Sequence, residues 1–212
     1  MRDITTTVYQ YHELSDDAKE KARDWFREVS AGDDFFSESV FEDAATIADL
    51  MGLDIRRTPV KRGDGSSHWT PTIYWSGFYS QGDGACFEGS YRYKPGAVKA
   101  VTDYAPLDDE LQRIALELQK AQKKCFYRLK ASIKHRGHYY HEKSMSFSFD
   151  YDGQDDRNTS EAEEAIEEAL SDFALWIYKQ LRKEYEYQNS DDVAGETIAA
   201  NEYEFDSEGV RV

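Results

Sequence analysis

The sequence predicts an α+β protein: a mainly antiparallel sheet with helices packed on one face and a long helix in the C-terminal half. Three observations carry this. Polar and apolar residues alternate with a period of two through much of residues 53–93. Apolar residues recur at helical spacing around residues 16–32, 39–51, 107–125 and 158–187. Within "ACFEGSYRY", Ala85, Phe87, Gly89, Tyr91 and Tyr93 fall on one side and Cys86, Glu88, Ser90 and Arg92 on the other, the pattern of a half-buried antiparallel strand.

The elements follow in order. "ITTTVYQY" (4–11) is β-branched and alternating, so it reads as a strand. A helix then starts behind Ser15, a suitable N-cap, with Asp16 and Asp17 placed where the helix dipole favours anions. Ala18, Ala22, Trp25, Phe26 and Val29 form its apolar face, and Gly32 closes it. A second helix over 39–51 buries Val40, Ala44, Ile47 and Met51 and ends at Gly52. "LDIRRTPV" (53–60) is a strand that Pro59 pushes toward an edge, and "KRGDGSSH" (61–68) is a loop of structure breakers. "WTPTIYWSGFYS" and "ACFEGSYRY" are strands. Pro106 introduces a helix whose face is Leu107, Leu111, Ile114, Leu118 and Ala121. "FYRLKASIKH" and "SMSFSFDYD" are two more strands around a His-rich connection. Residues 158–187 make the longest helix, with capping-box spacing at Ser160 and Glu163. Its stripe runs through Ala162, Ile166, Ala169, Phe173, Ile177, Leu181 and Tyr185. A short helix (191–200) leads to a tail hairpin that turns over residues 206–209.

The 212 residues suit a single domain, 1–212, large enough to bury a core without staples. Aromatic content of 14% sets the chain apart from disordered sequences. Two cysteines, Cys86 and Cys125, form no disulfide framework and point to a reducing, cytoplasmic compartment. The N-terminal stretch has no apolar core of a signal peptide, and no run is long enough to span a membrane. The net charge of −16 opposes direct binding of nucleic acid or anionic lipid and favours a basic protein partner.

The stretch "YWSGFYSQGDGACFEGSYRY" (74–93) centres on Gln81, Gly82, Asp83 and Gly84. Gly82 and Gly84 supply the positive φ values of a hairpin connection, and Asp83 tolerates that conformation. A phosphate cradle would need a helix directly behind the glycines, whereas a strand follows. Asp83 and Glu88 are too few for a metal site. The motif therefore reads as a turn that also presents a surface. "SGFYSQGDGACFEG", "ELSDDAKEKARDWFRE" and the tail "NEYEFDSEGVRV" resemble a group of phage and prophage proteins that carry the label "antitoxin of toxin–antitoxin stability system". The resemblance runs along most of the chain. It implies a mobile-element origin and action inside a bacterial cell, and it carries over no catalytic residue. In size and acidity such proteins also resemble phage-encoded inhibitors of host defence, the anti-CRISPR type among them.

"KHRGHYYHE" spaces His135, His138 and His141 by three, with Glu142 beside them. Three imidazoles and a carboxylate suffice chemically for a transition metal. Strand spacing of three sends successive side chains to opposite faces, so convergence requires a loop at Gly137. Otherwise the segment is a polar hairpin tip. No nucleophile elbow, Walker A sequence or dinucleotide fingerprint is present.

Charge separates along the chain. Residues 150–172 hold ten acidic side chains against Arg157, and 184–208 hold nine against none. Residues 120–143 hold eight basic side chains against Glu142. Two acidic blocks on a rigid scaffold imitate phosphate spacing and steer a basic groove onto themselves. Tyr185, Tyr187, Tyr203 and Phe205 are candidate anchors for such an interface. The basic segment either pairs with an acidic block or contacts the partner's nucleic acid. The expected function is an acidic, non-enzymatic inhibitor of a bacterial nucleic-acid-targeting defence protein, of anti-CRISPR or anti-restriction type, acting as a DNA mimic. The expected contact residues are Asp155, Asp156, Glu163, Glu164, Glu167, Glu168, Asp191 and Asp192. No cofactor is expected. The alternatives are an antitoxin that covers a cognate toxin, and a metal-dependent enzyme built on the three histidines.

Overall fold

The computed structural model describes residues 7–31, 35–61, 63, 65–153 and 158–212. Chain order is β1 (Tyr9–Gln10), α1 (Asp16–Ser30), α2 (Phe35–Met51), β2 (Leu53–Ile55), β3 (Arg57–Lys61), β4 (Ser67–Pro71), β5 (Ile73–Trp75), β6 (Ala85–Phe87) and β7 (Gly89–Arg92). There follow α3 (Ala97–Tyr104), α4 (Asp109–Lys124), β8 (Leu129–His135), β9 (Met145–Tyr151), α5 (Ser160–Gln188), α6 (Asp191–Ala200) and β10 (Glu204–Phe205). Every strand pair is antiparallel, and the fold is α+β. Among the described residues no helix is long and apolar enough to cross a membrane. Two compact units result, Met1–Ser37 with Lys183–Val212, and Glu38–Arg182.

The first unit is built from both ends of the chain. The Ser15 hydroxyl accepts the Ala18 amide at the start of α1, and the Ser190 hydroxyl accepts the Val193 amide at the start of α6. Such caps satisfy amides that helix geometry leaves without partners. The core is Leu14, Ala18, Ala22, Ile198 and Phe205, with Trp25 set edge-on against Tyr203 at 5.2 Å and Phe205 at 5.7 Å. Val29, expected on the α1 apolar face, is 61% exposed because α1 ends one residue later. The predicted closing Gly32 and the first residues of the predicted strand 4–11 lie outside the described residues. Tyr9 pairs with Phe205, so the two termini are laced as a short ribbon. The tail turns as expected over 206–209. The Asp206 carboxylate accepts the Glu208 and Val210 amides, and Gly209 takes a positive φ of 83° where a Cβ would meet the Ala18 carbonyl at 2.1 Å.

The second unit is a four-stranded sheet in the order β2-β7-β8-β9. Leu129, Ala131 and Ile133 of β8 are buried, and Lys130, Ser132 and Lys134 between them are exposed. One face is therefore covered and the other is open. Phe173 of α5 meets Phe87 at 6.0 Å, and Leu111, Ile114, Leu118 and Ala121 of α4 are buried. Leu107, predicted on that helical face, is 96% exposed, because Asp108 caps α4 and leaves Leu107 before the helix. Asp108 does two jobs. One carboxylate oxygen accepts the Leu111 amide at 2.9 Å and the other accepts the Trp176 indole N–H at 2.8 Å.

Three predicted strands are shorter or divided. The 126–135 strand starts at Leu129, since Phe126 and Tyr127 take positive φ values of 52° and 62° in the turn after α4. The fully buried Gln122 fixes that turn, donating to the Leu129 carbonyl at 2.7 Å and accepting its amide at 3.3 Å. "LDIRRTPV" divides at Arg56 into β2, which pairs with β7, and β3, which pairs with β4 as a separate ribbon containing Pro59. "ACFEGSYRY" divides at Glu88 between partners β5 and β2. Helix α3 was not legible, because its eight residues carry too short a stripe to stand out. The N-terminal cap of α5 also differs from the expected Ser160–Glu163 box: Thr159 donates its hydroxyl to Glu163, and Asn158 accepts the Ser160 amide.

Candidate functional site

The two motifs that stand out in the sequence pack against one another. Residues 76–84 form the connection between β5 and β6. The Asp83 carboxylate accepts the amides of Tyr79 at 3.0 Å and Ser80 at 2.6 Å, so it closes the loop on itself. Gly82 takes the expected positive φ, 93°. Gly84 does not, which corrects the reading of two left-handed glycines. Its lack of a side chain serves close approach instead, since a Cβ there would stand 2.6 Å from the Cβ of His141. A Cβ on Gly82 would likewise meet the Tyr139 ring at 2.8 Å. The 81–84 motif is thus a turn shaped to receive the 135–144 hairpin tip.

The histidines at that tip are used structurally. His135 Nε2 lies 3.0 Å from the Tyr139 carbonyl oxygen, and its ring packs at 5.3 Å from Tyr74 and 5.1 Å from Tyr140. His141 Nδ1 accepts the Lys143 amide at 3.1 Å. His138 is exposed. Among the described residues no three His, Cys, Asp or Glu side chains stand in position to share a metal ion. Below the tip, Cys86 is buried, and burial pushes its thiol up to about 11 against the opposing hydrogen bond with Ser144. A thiol held neutral in this way is a packing group rather than a nucleophile.

The predicted acidic residues separate. Glu164, Glu167 and Glu168 are exposed on α5 together with Glu161. Spacings of three and four place them on one helical face. Lys124 pairs with Glu161 at 2.5 Å, and that contact holds the Glu161 carboxyl below its ordinary value. Glu163 is half-buried and engaged by Thr159. Asp155 and Asp156 lie outside the described residues. Asp191 and Asp192 belong to the other unit. Asp191 is held by Arg27 at 2.5 Å and by Arg23 at 3.3 Å, and these arginines, Arg27 first, lower its carboxyl. Asp192 is exposed.

The candidate anchors also divide. Phe205 is fully buried in the first unit's core and offers nothing to a partner. Tyr203 is half-buried against Trp25, and Tyr185 is half-buried with its ring 5.9 Å from Phe36. Tyr187 is 60% exposed. The basic segment pairs in part with acidic residues, Lys124 with Glu161 and Lys130 with Asp152 at 3.2 Å.

Sequence reasoning missed the open face of the four-stranded sheet. Asp54, Ser90, Arg92, Lys130, Ser132 and Lys134 point out of it, and two adjoining cavities of about 300 and 380 Å³ lie over them. The alternation of each strand marks these positions. What the sequence does not disclose is that the strands pair in this order. No curated protein and no solved structure matches the chain. A family described as "Domain of unknown function (DUF8835)" matches residues 36–191. With that match covering most of its length, from the start of α2 to the start of α6, the chain belongs to the DUF8835 family.

Proposed function

We propose that the protein is a non-enzymatic binding protein that presents the acidic face of α5 to a basic partner. The observation that carries this is the set Glu161, Glu164, Glu167 and Glu168, exposed along one helical face, where among the described residues Glu161 is paired with Lys124. A solvated run of carboxylates on a rigid helix projects a field that steers a cationic groove onto it. The chain's net charge of −16 strengthens that field. The partner class this reading names is a bacterial nucleic-acid-targeting defence protein, whose own groove is built to bind phosphates. The chain then acts in the bacterial cytoplasm as an inhibitor of mobile-element origin and occupies the groove as a nucleic-acid mimic. The resemblance to phage proteins supports the setting.

The test is affinity capture from bacterial lysate at low and moderate salt, comparing the natural chain with a Glu164→Lys, Glu167→Lys, Glu168→Lys variant. Capture of a nuclease or other nucleic-acid-binding effector, lost in the variant and reduced by salt, is the expected result. Capture that survives both changes overturns the acidic-face reading. Capture of one small toxin by both proteins replaces it with an antitoxin.

A further inference from the structure

We infer that the open face of the four-stranded sheet is a binding site for a phosphorylated sugar, with one phosphate position at Lys134 and another at Arg92. This does not rest on the α5 reading, since it uses a different surface.

The register sets the geometry. Arg92 pairs with Lys130, Ser90 with Ser132, and Asp54 with Ser90. On the far side Ser132 pairs with Ser148 and Lys134 with Ser146. The face thus carries a central row of hydroxyls, Ser90, Ser132 and Ser148, with Asp54 at its end. Cations flank that row on both sides. Gly89 allows the β2 and β7 backbones to close up here, since a Cβ on it would meet the Asp54 carbonyl at 2.2 Å. The two cavities share Asp54 and Ser90, so they form one trough.

The charges in the trough are not all satisfied internally. In the smaller cavity Arg56 pairs with Glu88 at 3.0 Å, which leaves Lys134 without an ion pair among the described residues. In the larger, Lys130 pairs with Asp152 at 3.2 Å, which leaves Arg92 without one. Asp54 stands on the edge strand β2 at the end of the hydroxyl row, and Asp150 stands opposite Lys130 across the β8–β9 pair. The lining carries Arg56, Arg92, Lys130 and Lys134 against Asp54 and Glu88, and a local excess of positive charge in a chain of net charge −16 favours an anion there. Arg and Lys are the side chains that bind phosphate, Arg through its planar fork.

The spacing and the floor narrow the ligand. Lys134 lies four residues along β8 from Lys130, the partner of Arg92, which is about 13 Å at backbone level. Both side chains are long enough to close that separation to the span of a sugar carrying a phosphate at each end. The hydroxyl row and the Asp54 carboxylate then face the sugar hydroxyls, as donors and acceptor respectively. A single-stranded nucleic acid fits less well. Base binding on a sheet needs exposed rings to stack on. Among the described lining residues the aromatic is Tyr91, which is 2% exposed with its side chain on the covered face.

The test follows backbone amide shifts by NMR as fructose 1,6-bisphosphate, fructose, inorganic phosphate and a short oligothymidylate are added to the whole chain. The expected result is saturable shifts at Ser90, Arg92 and Ser132 with the bisphosphate, weaker ones with inorganic phosphate, and none with fructose. Arg92→Gln and Lys134→Gln should each weaken the bisphosphate by roughly tenfold, as loss of a charge-assisted contact does. Lys99→Gln, at an exposed position on α3, should leave it unchanged. Both substitutions are at exposed positions, so the variants fold. No saturable shift with the bisphosphate overturns the inference. So do equal binding of fructose, indifference to both substitutions, and tighter binding of the oligothymidylate at the same amides.

Discussion

Gly84 and His141 approach so closely that a Cβ on the glycine would stand 2.6 Å from the histidine Cβ and 2.8 Å from its Cα. The obstacle is largely backbone, which cannot swing aside as a long side chain can. The loop between β5 and β6 therefore depends on a residue with no side chain, for contact rather than for conformational freedom. Gly84→Ala is expected to lower stability by about 2 kcal/mol or more, as overpacking at a fixed backbone does. Gly63→Ala, where the new Cβ meets nothing within 4 Å, is the control and is expected to change stability by less than about 0.5 kcal/mol. Urea unfolding of the two variants checks both.

Gln122 is fully buried and satisfies both backbone groups of Leu129. Gln122→Leu keeps the approximate volume and removes both partners. Two buried backbone groups then lose their hydrogen bonds, so a loss of about 2–4 kcal/mol is expected. Denaturant midpoints for the variant and the natural chain measure it.

Asp191 gives a pH dependence of known sign. Arg27 and Arg23 lower its carboxyl below the ordinary 3.8, so the folded state holds the anion more tightly than the unfolded chain. The resulting stabilisation is present above 3.8 and is lost as pH falls through the lower folded value. Asp191→Asn should therefore melt earlier than the natural chain at neutral pH, and the gap should close in acid below the folded value. Thermal melts across that range read the gap, and a difference independent of pH contradicts the ion pair's role. Because the group is exposed, added salt should also narrow it.

Burial pushes the Cys86 thiol up to about 11, and Cys125 is buried too. Both thiols should be almost unreactive toward a disulfide reagent at mildly alkaline pH and react fully in denaturant. The raised value at Cys86 also removes stability as pH climbs above the ordinary 9.0, because the unfolded thiol ionises first. Fast modification of Cys86 in the native protein would place it at a functional surface instead.

The period of the apolar residues disclosed most of the fold. The stripe of Ala162, Ile166, Ala169, Phe173, Ile177 and Leu181 is buried as expected, and the 191–200 helix has the expected ends. Periodicity failed where a tertiary contact decided the matter. Leu107 looks like part of a helical face until Asp108, which also binds Trp176, caps the helix behind it. Phe126 and Tyr127 look like strand residues until Gln122 fixes the turn through Leu129. The acidic face of α5 was legible because helix spacing alone defines it. Asp191 was misleading, because its partners Arg23 and Arg27 are more than 160 residues away in sequence. The trough on the open sheet face required the strand order, which alternation does not carry.

On the function proposed above, the exposed carboxylates of α5 engage a basic partner. The most direct measurement is capture from bacterial lysate by the natural chain and by the Glu164→Lys, Glu167→Lys, Glu168→Lys variant, at about 50 mM and about 300 mM salt. The expected result is a nucleic-acid-binding protein retained by the natural chain at low salt, diminished at high salt, and absent from the variant. A partner held equally by both proteins at both salt concentrations would contradict it.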